Sequence, residues 1–349
     1  MQAQVRFQRT PQHKTPTSWT TRVAGLAAAA AMLFSGAAHA EGQIRIAYQY
    51  DVGDILLHVV REQKLIEKYA AQEGVQAKVE WKQLSGGAAI NDAILSNTLD
   101  VASTGLPPLL TVWDRTYGKQ NIKAIAALGS LPTYLLSRNP AVRTLADFGP
   151  GDRIALPATT ISLHARLLQI AAAAKYGKDK YTHFDELTVS LPHSEAAAAL
   201  LSGKTEVNAH FASPPFQFQE LKDPAIRKIT TSYEILGGPA TLNILWAPER
   251  WQKENPKTFT ALRRALAEAL TFVQGNKAEA AAIYVRLENS KLPVSFVQEI
   301  ISLPDVQYTL QPQNTFKLAS FLADVGAVKH RPASWKDYFF DEAHKDGGS

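Results

Sequence analysis

The segment SGGAAINDAILSNTLDVASTG, residues 85–105, decides how this chain is expected to fold. The residues just before it, 77–83, alternate apolar and polar side chains with the period of a β-strand. Inside the segment, Ile90 and Ile94 share one helix face, and an apolar run beginning at Val101 indicates another strand. The order strand, glycine turn, helix, strand predicts a right-handed crossover that joins two parallel strands of an α/β sheet.

Polar loops follow both of these strands, and such a crossover brings the two loops to the same edge of the sheet. Ser85 lies at the start of the predicted helix, where backbone N–H groups are unpaired and the helix dipole is positive. A small anion or polar head group binds well there, although a helix cap followed by a turn also explains either loop taken alone. The candidate ligand-binding residues of this first unit, including two that follow the strand at 43–48, are Gln49, Tyr50, Ser85, Gly86, Gly87, Thr104 and Gly105.

The same order of elements recurs farther along the chain. A strand at 153–156 leads into the hydroxyl-rich loop TTIS at 159–162 and a helix at 163–176, and strands at 188–191 and 207–211 follow. His193 and His210 of this unit could each contact a ligand, but an isolated histidine near a strand end is more often structural, so both have two interpretations. The candidate ligand-binding residues of this second unit are Thr159, Thr160, Ser162 and His210.

A chain of this size is expected to form two cores. We predict a two-lobed α/β protein in which each lobe has a mostly parallel sheet flanked by helices, and in which the C-terminus is helical. Two strands, at 133–137 and 241–246, are expected to cross between the lobes as a hinge. The expected parts are a leader at 1–40, lobe I at 41–134, lobe II at 135–243, the return to lobe I at 244–330 and a tail at 331–349.

The first 40 residues have the composition of an export signal. Four basic residues and no acidic one precede Glu41, an apolar core spans 23–34, and Ala38-His39-Ala40 has the small-x-small pattern of a cleavage site. We expect cleavage near Ala40 and a periplasmic mature chain. Without the leader, 33 basic residues face 32 acidic ones, so no excess of charge favours nucleic acid or a membrane as a partner.

The mature chain is expected to contain no sulfur atom. The sequence has no cysteine, and both methionines, Met1 and Met32, lie in the leader. Average composition predicts roughly ten cysteines and methionines together in a chain of this size. Selection for low sulfur use, as in a protein made in quantity when sulfur is scarce, explains this composition; chance in an alanine- and leucine-rich chain is the alternative.

Several motifs, taken in order, resemble the nitrate/sulfonate/taurine class of substrate-binding proteins of ABC importers. They are residues 85–108, LADFG at 145–149 with RIA at 153–155, ALLSG at 199–203 and GGP at 237–239. The resemblance covers essentially the whole mature chain. It implies a periplasmic binding protein of type II, which closes on its ligand by hinge motion and delivers it to an inner-membrane permease.

The ligand that the resemblance implies is a small organic anion or zwitterion, above all an alkane- or aryl-sulfonate or a taurine-like compound. A thiamine-precursor pyrimidine is the alternative, because the same superfamily includes proteins that bind such compounds. Asp51 would repel an anion, so this side chain either faces away or favours a ligand with a cationic group. We expect a monomer without enzymatic activity, cofactor or metal, since the sequence shows no catalytic or metal-binding motif.

Overall fold

The computed structural model describes residues 41–349, so the predicted leader lies outside the described residues. Within this range the strands form two five-stranded sheets, and each sheet is flanked by helices. The strands are β1 (Gln43–Tyr48), β2 (Lys78–Gln83), β3 (Val101–Thr104), β4 (Ile122–Ser130), β5 (Tyr134–Ser137), β6 (Ile154–Leu156), β7 (Thr188–Ser190), β8 (Ala209–Ala212), β9 (Arg227–Thr231) and β10 (Thr241–Pro248).

The two sheets have the same arrangement of strand directions. The first sheet has the order β2-β1-β3-β10-β4, and the second has the order β7-β6-β8-β5-β9. In each sheet four strands share one direction, whereas β10 in the first and β5 in the second run the opposite way. The predicted α/β class is confirmed, and the sheets are mostly parallel because four of the five strands in each share one direction. The one reversed strand makes each sheet a mixed sheet.

The helices include four that begin directly after parallel strands and a set that makes up the C-terminal part of the chain. They are α1 (Ile55–Glu62), α2 (Leu65–Gln72), α3 (Gly87–Leu95), α4 (Leu106–Thr116), α5 (Leu163–Tyr176), α6 (His193–Ser202), α7 (Phe216–Glu220), α8 (Ser232–Leu236), α9 (Glu249–Glu254), α10 (Pro256–Gly275), α11 (Lys277–Leu287), α12 (Val294–Ile300) and α13 (Thr315–Asp324). Between Glu41 and Ser349 no helix combines the length and the apolar character that crossing a bilayer requires.

One helix and one strand illustrate how the structure differs from the sequence-based prediction, which also lacked the short helices α7, α8 and α9. The helix expected at 55–69 is divided into α1 and α2, because Lys64 adopts a left-handed conformation with φ of 50°. Strand β9 was not predicted at all. It pairs with β5 at the edge of the second sheet and is only partly buried, so its sequence lacks the apolar run of an interior strand.

The chain passes between the two sheets twice. Residues 131–133 join β4 to β5, and residues 237–240 lead from α8 to β10. The first crossing is tied to the start of α8, the helix that precedes the second crossing: the Thr133 N–H donates to Ser232 Oγ at 3.0 Å, and the Ser232 N–H donates to the Thr133 carbonyl at 2.9 Å. The strands expected to form a hinge lie within the sheets rather than between them. Hinge motion at these crossings stays a prediction.

The last residues of the chain pack against the first sheet. Tyr338 and Phe339 are fully buried, and the Phe340 N–H donates to the Ala124 carbonyl of β4 at 2.8 Å. Buried aliphatic and aromatic side chains of both sheets and of the C-terminal helices form one large core cluster. This arrangement leaves the carboxyl ends of the parallel strands of both sheets open to a common cleft.

Candidate functional site

A cavity of about 370 Å³ lies where the carboxyl ends of the parallel strands of the two sheets face each other. In α/β proteins ligands bind at this end of the sheet, and the volume is at the lower end of the range typical of small-molecule sites. The lining residues are Gln49, Tyr50, Asp51, Ser85, Gly86, Gly87, Gly105, Pro108, Pro157, Ala158, Ile161, Ser162, Leu163, His164, Pro192, His193, Ser194, Glu195, Ser213, Leu242 and Asn243.

Four helices direct their N-termini at this cavity: α3 and α4 from the first sheet, and α5 and α6 from the second. The Ser162 side chain caps α5 by accepting the Ala165 N–H at 3.1 Å. The N-cap residues of α3, α4 and α6, which are Gly86, Gly105 and Pro192, provide no side-chain cap. Helix α4 offers few N–H groups because its second and third residues are prolines. The unpaired N–H groups at the N-termini of α3 and α6 are available to a ligand, and the helix dipoles favour negative charge there.

Glycines allow the backbone to approach the cavity from the first sheet. Gly86 has φ of 92°, which side-chain-bearing residues rarely adopt. At Gly87 a Cβ atom would lie 2.5 Å from Cγ of Pro108, so α3 begins in direct contact with α4. At Gly105 a Cβ atom would lie 3.3 Å from Cβ of Leu163, which belongs to the helix on the opposite side of the cleft.

The structure brings seven of the eleven predicted ligand-binding residues together in the cavity wall and leaves four elsewhere. Those that line it are Gln49, Tyr50, Ser85, Gly86, Gly87, Gly105 and Ser162. Those that do not are Thr104, Thr159, Thr160 and His210. The hydroxyl of Thr104 is turned into the first sheet, where it accepts the Trp246 indole N–H at 2.9 Å and donates to the Gly105 carbonyl.

His210 is fully buried behind the cavity wall rather than in it. Its Nε2 lies 2.8 Å from Nδ1 of His193, which does line the cavity. Its Nδ1 lies 2.6 Å from Oε1 of Glu220, which is also fully buried. Burial lowers the pKa of His210 to about 3 and raises the pKa of Glu220 to about 9.

Two buried carboxyl groups lie on the first-sheet side of the cavity. Asp51 Oδ1 accepts the Gly53 N–H at 2.7 Å and the Asn243 amide at 3.0 Å. Asp54, deeper in the protein, accepts hydrogen bonds from the Ser103 hydroxyl, the Gln49 N–H and the same Asn243 amide. Burial, reinforced by the charge of Asp54, raises the pKa of Asp51 well above its usual range.

The polarity of the cavity wall is set by neutral groups and two acids. Asp51 and Glu195 line it, whereas no lysine or arginine of residues 41–349 does. Burial and the neighbouring histidines hold the pKa of His164 and of His193 well below the usual value, so both imidazoles are neutral at pH 7. Over the same range, no three His, Asp or Glu side chains are placed as a metal site.

Sequence reasoning missed several residues of the wall. His164 belongs to the predicted helix 163–176, and its Nε2 lies 3.0 Å from the Ser213 hydroxyl. The spacing of apolar residues in a helix does not indicate that its first turn lines a cavity. Asn243 lies on β10, far from the first unit in the sequence, and only the antiparallel pairing with β3 and β4 brings it to Asp51. The one available signal in the sequence was that Asn243 is a polar residue within the apolar run 241–246.

Solved structures of similar fold include two sulfonate-binding proteins. The alkanesulfonate-binding protein from Xanthomonas axonopodis pv. citri, bound to MOPS, is 20% identical, with a TM-score of 0.65 and coverage of 86% of this chain and 97% of that one. The periplasmic aliphatic sulphonate binding protein from Escherichia coli is 18% identical, with a TM-score of 0.66 and coverage of 87% and 99%.

A periplasmic nitrate-binding protein from Synechocystis PCC 6803 is similar over less of its length: identity is 18%, the TM-score is 0.59, and coverage is 74% of this chain and 69% of that one. No protein-family profile matches the chain, and no curated protein matches it in sequence. At these identities the likeness shows the fold. The chain has the two-lobed fold of periplasmic binding proteins, as its sequence predicted.

Proposed function

We propose that this protein is the periplasmic solute-binding component of an ABC importer and that it binds a small organic anion, an alkane- or aryl-sulfonate or a taurine-like compound, in the cavity between its two sheets. One observation carries the proposal: four helix N-termini, three of them without a side-chain cap, surround a cavity that no Lys or Arg of residues 41–349 lines. Neutral N–H and hydroxyl donors suit the three oxygens of a sulfonate, which share one negative charge.

Asp51 narrows the class of ligand further. This side chain is 6% exposed, and its Oδ2 has no hydrogen-bond partner among residues 41–349. A buried carboxylate without a cation is costly, so either a proton or a positively charged ligand group compensates it. Among sulfonates, one with an ammonium group fits this wall best, because the sulfonate can face the helix N-termini while the ammonium faces Asp51.

The carboxyl group of Asp51 is also compatible with the alternative ligand, a thiamine-precursor pyrimidine. An aminopyrimidine carries N–H donors and acceptors but no sulfonate, and Oδ2 of Asp51, which has no partner among residues 41–349, can accept one of those N–H groups. The sulfur-free composition expected for the mature chain favours the sulfonate. The pyrimidine is therefore the second candidate.

The rest of the proposal follows from the fold class of the protein. The leader at 1–40 directs export and is removed near Ala40, and the mature chain acts as a monomer without enzymatic activity. Residues 41–134 and 244–330 form lobe I, 135–243 form lobe II and 331–349 form the tail in the division made from the sequence, and we propose to move the two lobe boundaries to the nearby crossings, because Tyr134 belongs to β5 and Thr241 to β10. The closed lobes present the ligand to an inner-membrane permease. Residues 131–133 and 237–240 are the hinge in this proposal.

The first test is a thermal-shift screen of the ligand-stripped mature chain with taurine, ethanesulfonate, benzenesulfonate, sulfate, nitrate and a hydroxymethylpyrimidine. A ligand that binds only the folded state raises the melting temperature. We expect taurine and the sulfonates to do so. A rise with the pyrimidine and with no sulfonate would overturn the proposal in favour of the second candidate.

The substitution Asp51→Asn distinguishes whether the charge of Asp51 is neutralised by a proton or balanced by a positively charged group of the ligand. Taurine and ethanesulfonate differ chiefly in the ammonium group, so they form a matched pair for calorimetric titration. Loss of a charge-assisted hydrogen bond should weaken taurine binding by about ten- to a hundredfold, while ethanesulfonate binding stays unchanged or improves. Equal losses for both ligands would show that Asp51 donates a proton to the anion instead.

A further inference from the structure

A chain of hydrogen bonds leads from the cavity wall to a fully buried acid. His193, at the first turn of α6, is bonded through Nδ1 to Nε2 of His210 on β8, at 2.8 Å. His210 is bonded through Nδ1 to Oε1 of Glu220 on α7, at 2.6 Å. The three side chains come from three successive elements, and only His193 lines the cavity.

The position of one proton decides the direction of every bond in this chain. Oε2 of Glu220 is buried and has no partner among residues 41–349, which costs far more for a carboxylate than for a neutral carboxylic acid. A protonated Glu220 donates to Nδ1 of His210, and His210 then donates from Nε2 to Nδ1 of His193. If the shared proton moves to His210, the resulting imidazolium still donates to Nδ1 of His193.

Both placements of that proton leave His193 with the same tautomer. Its Nδ1 accepts from His210, so its proton is on Nε2, at the opposite side of the ring. Nε2 makes no hydrogen bond with any residue of 41–349. The ring is held in place by Phe216, which stacks on it with centroids 5.8 Å apart, and by the edge of His164 at 4.8 Å.

The groups around His193 favour its neutral form. His164, on α5, has its Nδ1 buried without a partner and its Nε2 bonded to Ser213. Glu195, two residues farther along α6, is exposed at the cavity rim and bonds to no side chain of the described residues, so solvent screens its charge. Burial and the neighbouring His210 lower the pKa of His193 well below its usual value, so His193 is placed to act as a neutral N–H donor.

We propose that His193 donates a hydrogen bond from Nε2 to an acceptor atom of the bound ligand, and that His210 and Glu220 are positioning residues that fix His193 in the donor tautomer. The inference rests on the proposed function, since it places the ligand in this cavity. It adds a specificity rule: the part of the ligand that faces α6 carries an acceptor, such as a sulfonate oxygen. A ligand that presents N–H groups there leaves two donors facing each other.

Two substitutions of His193 test the contact with the ligand. Asn places its amide near Nδ1 of the imidazole, so His193→Asn keeps a partner for His210 and loses the donor in the cavity. Gln places its amide near Nε2, so His193→Gln retains that donor. With ethanesulfonate as the first probe, and otherwise the compound of the screen that binds, we expect about ten- to a hundredfold weaker binding for Asn and about wild-type binding for Gln. Equal affinity of His193→Asn and the wild type would overturn the contact.

The tautomer is measured without ligand, by multiple-bond ¹⁵N NMR of the histidine-labelled mature chain. We expect His193 to carry its proton on Nε2 in the wild type and in Glu220→Gln, because the Gln amide also donates to His210. Glu220→Leu removes that donor and should give a mixture of tautomers and weaker binding. A proton on Nδ1 of His193 in the wild type would overturn the positioning role. If no compound of the screen binds, the proposed function fails, while the ¹⁵N spectrum still decides the tautomer.

Discussion

The free energy of unfolding of Glu220→Gln should exceed that of the wild type at pH 7 and not at pH 4. Glu220 and its partner His210 are both fully buried, and burial raises the pKa of Glu220 from 4.5 to about 9. Between these two values the folded state keeps a proton that the unfolded state releases. The unfolded state then binds fewer protons, so the contribution of Glu220 to stability is complete below pH 4.5 and is lost as the pH rises toward 9.

The size of the effect follows from the distance between the working pH and the ordinary pKa. At pH 7 the retained proton costs about 3 kcal/mol, at about 1.4 kcal/mol for each pH unit above 4.5. Glutamine has the shape of the protonated acid and carries its donor without titrating. We therefore expect Glu220→Gln to gain up to about 3 kcal/mol at pH 7, or roughly 2 °C of melting temperature for each kcal/mol in a chain of this size.

The assay is urea unfolding of the mature chain at pH 4, 7 and 8.5, with Glu299→Gln as the control. Glu299 is exposed on α12 and bonds to no side chain of the described residues, so its substitution should change stability by less than about 0.5 kcal/mol at every pH. A loss of several kcal/mol in Glu220→Gln at pH 7 would refute the reasoning. It would show that Glu220 is ionised and forms a buried ion pair with a charged His210.

Two further substitutions address the wall of the cavity on the first-sheet side. Gly87→Ala places a Cβ atom 2.5 Å from Pro108 and should displace the start of α3, with a loss of about 1–3 kcal/mol in urea unfolding and weaker ligand binding in calorimetry. Gly151→Ala, which meets no atom within 4 Å, is its control, and equal behaviour of the two variants would contradict the prediction. Tyr50, 47% exposed at the cavity, should contact the tail of the ligand, so Tyr50→Ala should weaken benzenesulfonate about five- to tenfold and ethanesulfonate less. Tyr50→Phe should leave both affinities unchanged, and a loss in Tyr50→Phe equal to that in Tyr50→Ala would assign the effect to the hydroxyl.

Much of the fold was predictable because its elements carry strong periodic signals. Strand β1 and helix α5 have the bounds that the sequence predicted, since alternation defines the first and an apolar face behind a hydroxyl-rich loop defines the second. The break at Lys64 was not predictable, because a left-handed lysine has no sequence signature. Strand β9 was not predicted, because an edge strand needs little apolar surface and its sequence therefore lacks a clear strand pattern.

The backbone part of the site was easier to predict than its side chains. Gly86, Gly87 and Ser162 could be placed at the cavity because helix starts after parallel strands always meet at one sheet edge. Thr104 shares that position in sequence, yet its hydroxyl is turned toward Trp246 by the pairing of β3 with β10. The direction of a side chain at a strand end depends on this register, which local periodicity does not contain.

The hydrogen-bonded chain of His193, His210 and Glu220 could not be predicted from the sequence, although both histidines were candidate ligand contacts. His193 and His210 were both considered as possible ligand contacts, and their separation of 17 residues indicated no relation between them. The strand order β7-β6-β8 brings the start of α6 over β8, and helix α7 then supplies Glu220 from behind. The residue that faces the cavity is His193, whereas the more deeply buried His210 can act only through it.

Together these features suit the proposed function, in which the site both holds and releases an anion. A buried guanidinium or ammonium group would need an opposite charge whenever the cleft is empty, whereas helix N–H groups, hydroxyls and a neutral imidazole do not. The wall contains two acids: Glu195, which is exposed at the rim, and Asp51, which is buried and whose Oδ2 has no partner within 41–349. Asp51 is thus the one buried charged group in the wall that a ligand can stabilise by bringing an opposite charge. For this reason the comparison of taurine with ethanesulfonate in Asp51→Asn identifies the ligand class more directly than any substitution among the neutral donors.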